Sequence, residues 1–198
     1  MTILVIAGGT ASGKTTIAAA LTQRFQATLL QHDRYYKDIA HPKGHNFDEP
    51  NALDNALLAH HIALLKSGQP ASLPVYHFPT HRRLQEVETV LPTSLIIIEG
   101  ILVMAIPEVL AQADITVFVD APADIRLTRR IQRDVITRGR DVDGVIEQYL
   151  TTVRPMHEQY VEPCKTKADI ILDGTISIEK SIETLLPYLN EPQSQSST

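Results

Sequence analysis

Hydrophobic residues along this chain fall into short continuous runs that alternate with longer amphipathic stretches. The runs predict five strands, at Ile3–Ala7, Ala27–Gln31, Leu95–Ile98, Ile115–Val119 and Ala168–Leu172. Their centres are apolar without a break, which is typical of parallel strands covered on both faces. The stretches between them predict helices at Lys14–Phe25, Asn55–Lys66, Ile106–Gln112, Asp124–Thr137, Val142–Val153 and Ile178–Leu189. This alternation favours an α/β fold built on a doubly wound parallel sheet.

The interval from about residue 36 to 92 interrupts the alternation, because prolines and glycines punctuate it. Short runs at Ala71–Phe78 and Glu86–Leu91 predict a small β-hairpin there. Long insertions between core strands usually serve function, so we expect this interval to bind a substrate. The sequence predicts a single domain over residues 1–189 and a disordered Ser/Gln-rich tail over residues 190–198.

The first predicted strand runs directly into the pattern G-x-x-x-x-G-K-[ST], which defines a phosphate-binding P-loop. Its glycines let several backbone N–H groups point at one anion, and the helix that follows adds its positive end. The lysine reaches the β- and γ-phosphates, and the threonine hydroxyl can ligate Mg²⁺. The pattern predicts binding of ATP or GTP by Gly8, Gly9, Thr10, Ala11, Ser12, Gly13, Lys14, Thr15 and Thr16.

Acidic residues follow three other predicted strands. Asp33 follows the second strand, Glu99 the third and Asp120 the fourth. Ligands of such sheets bind beyond the carboxyl ends of the strands, so these side chains are expected at the phosphate site. We expect Glu99 to hold Mg²⁺ together with Thr15, and Asp33 to orient or deprotonate an acceptor hydroxyl. Asp120 also fits a simple helix N-cap.

Arginine is concentrated in one segment, because six of the eleven arginines lie between Arg126 and Arg140. Arg126, Arg129, Arg130 and Arg133 share one face of the predicted helix, where like charges repel. Bound phosphate would offset that repulsion, which predicts a lid over about residues 124–141 that closes on the phosphates. The alternative is a solvated helix whose arginines pair with Asp124, Asp134 and Asp141.

Composition narrows the class of protein. The chain has 198 residues and a formal net charge of −5, which argues against coating nucleic acid or an anionic membrane. The one cysteine, Cys164, excludes an internal disulfide and fits the cytoplasm. No apolar run reaches the length of a membrane span. We therefore expect a cytoplasmic protein with small-molecule partners.

Nine segments together resemble the uridine/cytidine kinase family of P-loop kinases, which lies within the phosphoribulokinase/uridine kinase superfamily. In chain order they are GGTASGKTT (8–16), HDRYYKD (32–38), NFDEPNALD (46–54), LPVYHFPTHRR (73–83), IIIEGIL (96–102), FVDAPADIRLTRRIQRD (118–134), RGRDVDGVIEQY (138–149), VRPM (153–156) and ADIIL (168–172). The resemblance covers nearly the whole chain except the tail.

The resemblance implies transfer of the ATP γ-phosphate to the 5′-hydroxyl of uridine or cytidine, in pyrimidine salvage. It implies that Asp33 is the catalytic base, with Lys14 on the phosphates and Mg²⁺ bound nearby. It also implies a homotetramer. Residues that match nucleoside contacts are Phe47, Asp48, Tyr76, Phe78, His81, Arg130, Arg140 and Gln148, and those that match lid contacts to the phosphates are Arg133 and Arg138.

Three residues depart from the family pattern on the acceptor side, namely His32, Arg34 and His77. They leave open a related kinase with another acceptor, such as a sugar phosphate or pantothenate. An extra cation at Arg34 would favour an anionic acceptor, although a surface position is the commoner fate of arginine. A nucleotide-binding switch without an acceptor is a further alternative. Its GTPase form predicts an N-K-x-D segment, which the chain lacks.

Overall fold

A computed structural model describes residues 1–39 and 45–189, and the predicted tail at 190–198 lies outside these residues. The strands are β1 (Thr2–Gly8), β2 (Thr28–Gln31), β3 (Ala71–His77), β4 (Arg82–Val90), β5 (Leu95–Glu99), β6 (Ile115–Asp120) and β7 (Ile170–Asp173). The helices are α1 (Lys14–Phe25), α2 (Asn55–Lys66), α3 (Pro107–Leu110), α4 (Ala123–Arg138), α5 (Val142–Gln148), α6 (Arg154–Met156) and α7 (Ile178–Leu185).

Five strands form one parallel sheet in the order β2-β5-β1-β6-β7. Alternate residues of β1 enter two separate apolar clusters, because side chains of a strand point to opposite faces. Val5 lies with Leu58 and Ile62 of α2, whereas Ile6 lies with Leu21 of α1 and Leu185 of α7. Helices therefore cover both faces, and the predicted doubly wound α/β sheet is confirmed.

The remaining two strands form the predicted hairpin. β3 pairs antiparallel with β4, from Ala71 opposite Val90 to His77 opposite Arg82, with an irregularity between Pro74 and Tyr76. β4 starts four residues before the predicted Glu86, because a short 3₁₀ turn at Phe78–Thr80 is enough to reverse the chain. The helix within the predicted insertion is part of the core, because α2 contributes Leu58, Ile62 and Leu65 to it.

Helix ends differ most from the prediction. The predicted helix Ile106–Gln112 is reduced to α3, and α7 ends at Leu185 before a 3₁₀ turn, Leu186–Tyr188. The predicted helix Val142–Val153 does not end near Pro155. α5 passes into a π-helical turn at Tyr149–Val153, and a second one, His157–Val161, follows α6. Pro155 lies in α6, between the two π-helical turns. Proline lacks the backbone N–H that a continuous α-helix would use at this position.

Strand register brings the chemistry-bearing residues to one edge. Ile6 and Gln31 both lie opposite Glu99, and Gly8 lies opposite Val119. The P-loop after β1, the turn after β2 and the end of β5 therefore adjoin at the carboxyl edge of the sheet. Within the described residues, no helix combines the length and the apolar character needed to cross a membrane.

Candidate functional site

An open cleft of about 1570 Å³ lies at this edge of the sheet. Most of the predicted site residues contribute to its lining, whereas Gly8 and Gly9, at the start of the loop, and Asp120 and Arg126 do not. The predicted residues that line it are Thr10, Ala11, Ser12, Gly13, Lys14, Thr15, Thr16, Asp33, Phe47, Asp48, Tyr76, Phe78, His81, Glu99, Arg130, Arg133, Arg138, Arg140 and Gln148. The structure therefore brings these residues together in one cavity, and their individual roles stay predictions.

The P-loop forms the floor of the cleft. Gly13 has φ 107, a conformation that L side chains rarely adopt, and its carbonyl accepts from the N–H groups of Thr16 and Ile17 at 3.1 Å. α1 begins at the next residue and has no acidic residue in its first turn. The positive end of the helix is therefore not neutralised by an acidic residue of its own first turn. In the part of the chain that the structure describes, no group is placed to hydrogen-bond the buried Ser12 hydroxyl. This geometry suits a polyanion.

Arg126 supports this loop from behind and does not enter the cleft. It is buried, donates from Nε to the Ala121 carbonyl at 3.0 Å, and lies with Nη2 3.2 Å from His157 Nε2. A Cβ on Gly9 would lie 2.6 Å from Nη1 of Arg126, so the guanidinium packs directly on the loop. The expectation that Arg126 shares the ligand face with the other arginines of α4 is therefore wrong.

Glu99 and Thr15 form the predicted oxygen pair. Thr15 Oγ1 donates to Glu99 Oε2 at 3.1 Å, and Gln31 Nε2 lies 3.5 Å from the other carboxylate oxygen. Burial raises the pKa of Glu99 and the charge of Asp33 adds to the rise, whereas Lys14 and the two hydrogen bonds oppose it. A cation beside this carboxylate would relieve the cost of burying its charge.

These oxygens fit Mg²⁺, which favours oxygen ligands and usually keeps water and phosphate in its coordination shell. Within residues 1–39 and 45–189, no group of three or more His, Cys, Asp or Glu side chains is placed to hold a metal ion. Thr15 and Glu99 would therefore supply only part of the coordination, and a bound triphosphate and water would complete it.

Asp33 and Asp48 share the cleft with Lys14. Asp33 lies in a 3₁₀ turn, His32–Tyr35, directly after β2. Asp48 is buried and accepts from Thr152 Oγ1 at 3.0 Å. Burial raises the pKa of Asp48, and the charge of Asp33 adds to the rise. The two aspartates therefore face one cavity next to the P-loop, as the sequence predicts.

An aromatic cluster forms one wall beside Asp48. The rings of Phe47 and His81 stack at 4.6 Å between centroids with an interplanar angle of 26°. Tyr36 lies 5.8 Å from Phe47 and 5.4 Å from Tyr76, and Tyr76 lies 5.1 Å from Phe78. The buried Tyr76 hydroxyl has no hydrogen-bond partner among residues 1–39 and 45–189. Flat faces next to an unpaired hydroxyl suit a planar ligand with polar edges.

A hydrogen-bonded chain joins the P-loop to the opposite wall. Arg130 donates from Nη1 to Thr10 Oγ1 at 3.1 Å and from Nη2 to Gln148 Oε1 at 3.0 Å. Arg140 donates to the same Gln148 oxygen at 2.6 Å. Burial lowers the pKa of Arg130, while Asp134 and Asp48 oppose that change. The arginines are thus held in place without a ligand.

Asp134 is the centre of the arginine cluster. Its carboxylate is completely buried and lies 2.8 Å from Arg133, 3.4 Å from Arg138, 3.6 Å from Arg140 and 3.7 Å from Arg130. Phosphate is therefore not the only counter-charge for these arginines. The pairing with Asp134 that the alternative predicts is present, although this carboxylate is buried and not solvated. Asp134 offsets part of the charge, and four positive groups around one negative group leave a net positive cluster.

Asp120 lies outside the cleft, contrary to the strand-end prediction. Its Oδ2 accepts from Lys165 Nζ at 2.6 Å. It is not an N-cap either, because Pro122 occupies that position of α4 and makes no side-chain cap. Its carboxylate is instead held by Lys165, in the segment that precedes β7, although the neighbouring turn after β7 does line the cleft.

Some residues of the cleft carry no local sequence signal. Gln31 and Thr152 contact the two buried carboxylates, and the turn after β7 contributes Gly174 and Ile176 to the lining. Arg129 donates to the Gly174 carbonyl at 2.8 Å and so ties α4 to this turn. The strand-end rule that found Asp33 and Glu99 would also have found the turn after β7, had it been applied to the last strand.

Comparison with known proteins gives a consistent assignment. The model of the Phosphoribulokinase / Uridine kinase family matches residues 3–178. A uridine kinase of Chloroflexus aurantiacus is 47% identical over 180 residues, covering 87% of this chain and 86% of that protein. A uridine kinase of Halobacterium salinarum is 44% identical over 181 residues, covering 87% and 80%.

A solved structure extends the likeness to the fold. Phosphoribulokinase from Rhodobacter spheroides superimposes with a TM-score of 0.64 at 13% identity, covering 88% of this chain and 72% of that one. At this identity the superposition supports the fold alone. It agrees with the parallel sheet and flanking helices described above.

Proposed function

The chain belongs to the Phosphoribulokinase / Uridine kinase family, and we propose that it transfers the γ-phosphate of ATP to the 5′-hydroxyl of uridine or cytidine. The products would be ADP and UMP or CMP. The observation that carries the proposal is the single cleft in which Lys14, Asp33 and Asp48 meet. The relatives named uridine kinase, at 44% and 47% identity, support the choice of acceptor.

On the donor side, the amides of the P-loop and Lys14 would hold the triphosphate at the N-terminus of α1. Thr15 and Glu99 would hold Mg²⁺, which neutralises charge on the phosphate oxygens when bound. Arg133 and Arg138 line the same cleft and are the candidates for stabilising charge on the transferring group. Both lie within 3.4 Å of the buried Asp134 carboxylate.

On the acceptor side, Asp48 would accept hydrogen bonds from the ribose hydroxyls, because an ionised carboxylate has two acceptor oxygens. The rings of Phe47, Tyr76 and Phe78 would enclose the pyrimidine, with His81 at its edge. Asp33 would take up the proton of the 5′-hydroxyl or orient that hydroxyl toward the γ-phosphate. The new bond joins the 5′-oxygen to phosphorus, and the bond to the β-phosphate oxygen breaks, releasing ADP.

The structure offers an argument against an anionic acceptor. Arg34, which departs from the family pattern, forms an ion pair with Glu88 of β4. Its charge is therefore balanced within the protein, which favours a neutral acceptor over a sugar phosphate. A nucleotide switch without an acceptor would leave Asp48 and the aromatic wall without a ligand.

Several finer expectations, drawn from the sequence or from the resemblance, stay predictions. They are the use of GTP in place of ATP, the participation of Mg²⁺, a role in pyrimidine salvage, assembly into a tetramer and location in the cytoplasm. The lid over residues 124–141 and the insertion over residues 36–92 also stay predictions as functional units.

The test is an ADP-release screen with uridine, cytidine, purine nucleosides, ribulose 5-phosphate and pantothenate as acceptors. We expect turnover with uridine or cytidine, abolished by Lys14→Ala. Thr151→Val, an exposed substitution remote from the P-loop, is the matched control and should behave as wild type. Turnover confined to ribulose 5-phosphate or pantothenate would overturn the acceptor assignment, and ADP release independent of any acceptor would favour a hydrolytic switch.

A further inference from the structure

The Asp48 carboxylate is hydrogen-bonded by a side chain that lies outside the sequence motifs. Within the described residues, the hydrogen bond to the Asp48 carboxylate comes from Thr152 Oγ1, at 3.0 Å from Oδ2. The two residues are 104 positions apart, and Thr152 lies in the π-helical turn Tyr149–Val153. π-helical turns occur often at functional sites, because they re-aim side chains of a continuous helix.

The Thr152 hydroxyl has two acceptors in reach and only one proton. It lies 3.0 Å from the carboxylate of Asp48 and 3.1 Å from the backbone carbonyl of Gln148. A hydrogen bond to an ionised oxygen is the stronger of the two. The Thr152 hydroxyl therefore donates to Asp48 when that carboxylate is charged. The Gln148 carbonyl competes as the acceptor of this hydroxyl only when Asp48 is neutral.

Electrostatics point the same way. Burial raises the pKa of Asp48, and the charge of Asp33 adds to the rise. The hydrogen bond from Thr152 is the main opposing influence, ahead of the charges of Arg130 and Arg140. These four groups come from the turn after β2, the π-helical turn, α4 and the segment after it. Without the Thr152 hydroxyl, Asp48 would hold its proton more tightly.

We propose that Thr152 is a positioning residue of the acceptor site. Its hydroxyl fixes one oxygen of Asp48 and keeps the carboxylate ionised, so that the second oxygen is presented to the vicinal hydroxyls of a ribose. The inference rests on the proposed function, since it requires an acceptor with such a diol. It adds a residue on the π-helical turn to the acceptor contacts that the motifs identify.

The test compares Thr152→Val with Thr151→Val. The neighbouring Thr151 is exposed and donates to the Glu147 carbonyl at 2.7 Å, so its substitution removes a threonine hydroxyl from the same turn without touching Asp48. We expect Thr152→Val to raise the KM for uridine or cytidine roughly tenfold, as loss of a hydrogen bond to a charged group does. The KM for ATP and kcat should change less than about twofold, and Thr152→Ser should restore the acceptor KM.

The pH profile separates positioning from a merely structural role. Ionised Asp48 is the binding form, so acceptor kcat/KM falls as pH decreases through its pKa. Because loss of the Thr152 hydroxyl raises that pKa, the acidic limb should move to higher pH in Thr152→Val and return in Thr152→Ser. An unmoved limb together with an acceptor KM equal to that of Thr151→Val would overturn the proposal. If valine disturbs folding, the serine variant alone decides. It keeps the hydroxyl, so a raised acceptor KM in Thr152→Ser would contradict the proposed role of that hydroxyl.

Asp48→Asn distinguishes failure of this inference from failure of the proposed function. If Asp48→Asn leaves the acceptor KM unchanged, the ribose assignment itself is wrong. If Asp48→Asn raises the KM but Thr152→Val behaves like Thr151→Val, only the positioning role is wrong.

Discussion

Replacement of Asp134 by asparagine should destabilise the protein and, at the same time, strengthen its response to polyphosphate. Asp134 is completely buried, and four arginines lie within 2.8–3.7 Å of its carboxylate. Among these, Arg130 is 7% exposed, whereas Arg133, Arg138 and Arg140 are 34–44% exposed. Only the pair with Arg130 is therefore shielded from solvent.

The magnitude follows from this difference in exposure. Removing one partner of a buried ion pair costs about 3–5 kcal/mol, since the other charge stays buried. The exposed arginines each add less than about 1 kcal/mol because solvent screens them. For a chain of this size each 1 kcal/mol lowers Tm by roughly 2–4 °C, so loss of the Arg130 pair alone lowers Tm by roughly 6–20 °C.

The assay is thermal unfolding with and without tripolyphosphate. Tripolyphosphate should raise the Tm of Asp134→Asn by more than that of wild type, because the anion supplies the missing negative charge. Asp124→Asn is the matched control, since Asp124 lies in the first turn of the same helix and is exposed. Its loss should cost only about 0.3–1 kcal/mol through the helix dipole. Equal Tm values for the two variants would refute the reasoning.

Two further predictions concern the two sides of the cleft. Glu99→Gln should raise the Tm of the ligand-free protein at neutral pH and lower Mg²⁺-dependent turnover, because burial raises the pKa of Glu99 and its ionised form is unfavourable. The gain in Tm should shrink as pH falls through the raised pKa of Glu99, because the wild-type carboxyl is then protonated in the folded protein; a lower Tm at neutral pH would contradict this account. Phe47→Ala should raise the acceptor KM while leaving the KM for ATP unchanged, since Phe47 stacks on His81 in the acceptor wall and stacking of a base is worth about 1–3 kcal/mol. An unchanged acceptor KM in steady-state assays would contradict the assignment of pyrimidine binding to this wall.

The fold was predictable because the buried strands carry uninterrupted apolar runs and the P-loop marks the end of the first. Strand ends then located Asp33 and Glu99, since parallel strands share one carboxyl edge. The same rule was wrong for Asp120, because its carboxylate pairs with Lys165, in the segment that precedes β7, and does not enter the cleft. Strand order is set by packing between distant segments, and the hydrophobic pattern alone does not encode it.

Contacts between distant segments were the part that the sequence did not reveal. Asp134 lies four residues after Arg130, so their pairing was visible, but its complete burial depends on how α4 packs. Arg126 occupies the same predicted helix face as Arg130, yet it packs behind the P-loop on Gly9. The contact of Thr152 with Asp48 joins residues 104 positions apart and has no local pattern at all.

The central claim is that Asp33 aligns an alcohol for attack on a triphosphate held at Lys14, and Asp33→Asn tests it most directly. Turnover with uridine or cytidine should fall by roughly 10²–10⁴, the usual contribution of a general base. The Kd for ATP, measured by calorimetry, should change little, because the P-loop is intact. Normal turnover in Asp33→Asn, or loss of ATP binding in proportion to the loss of turnover, would contradict the account.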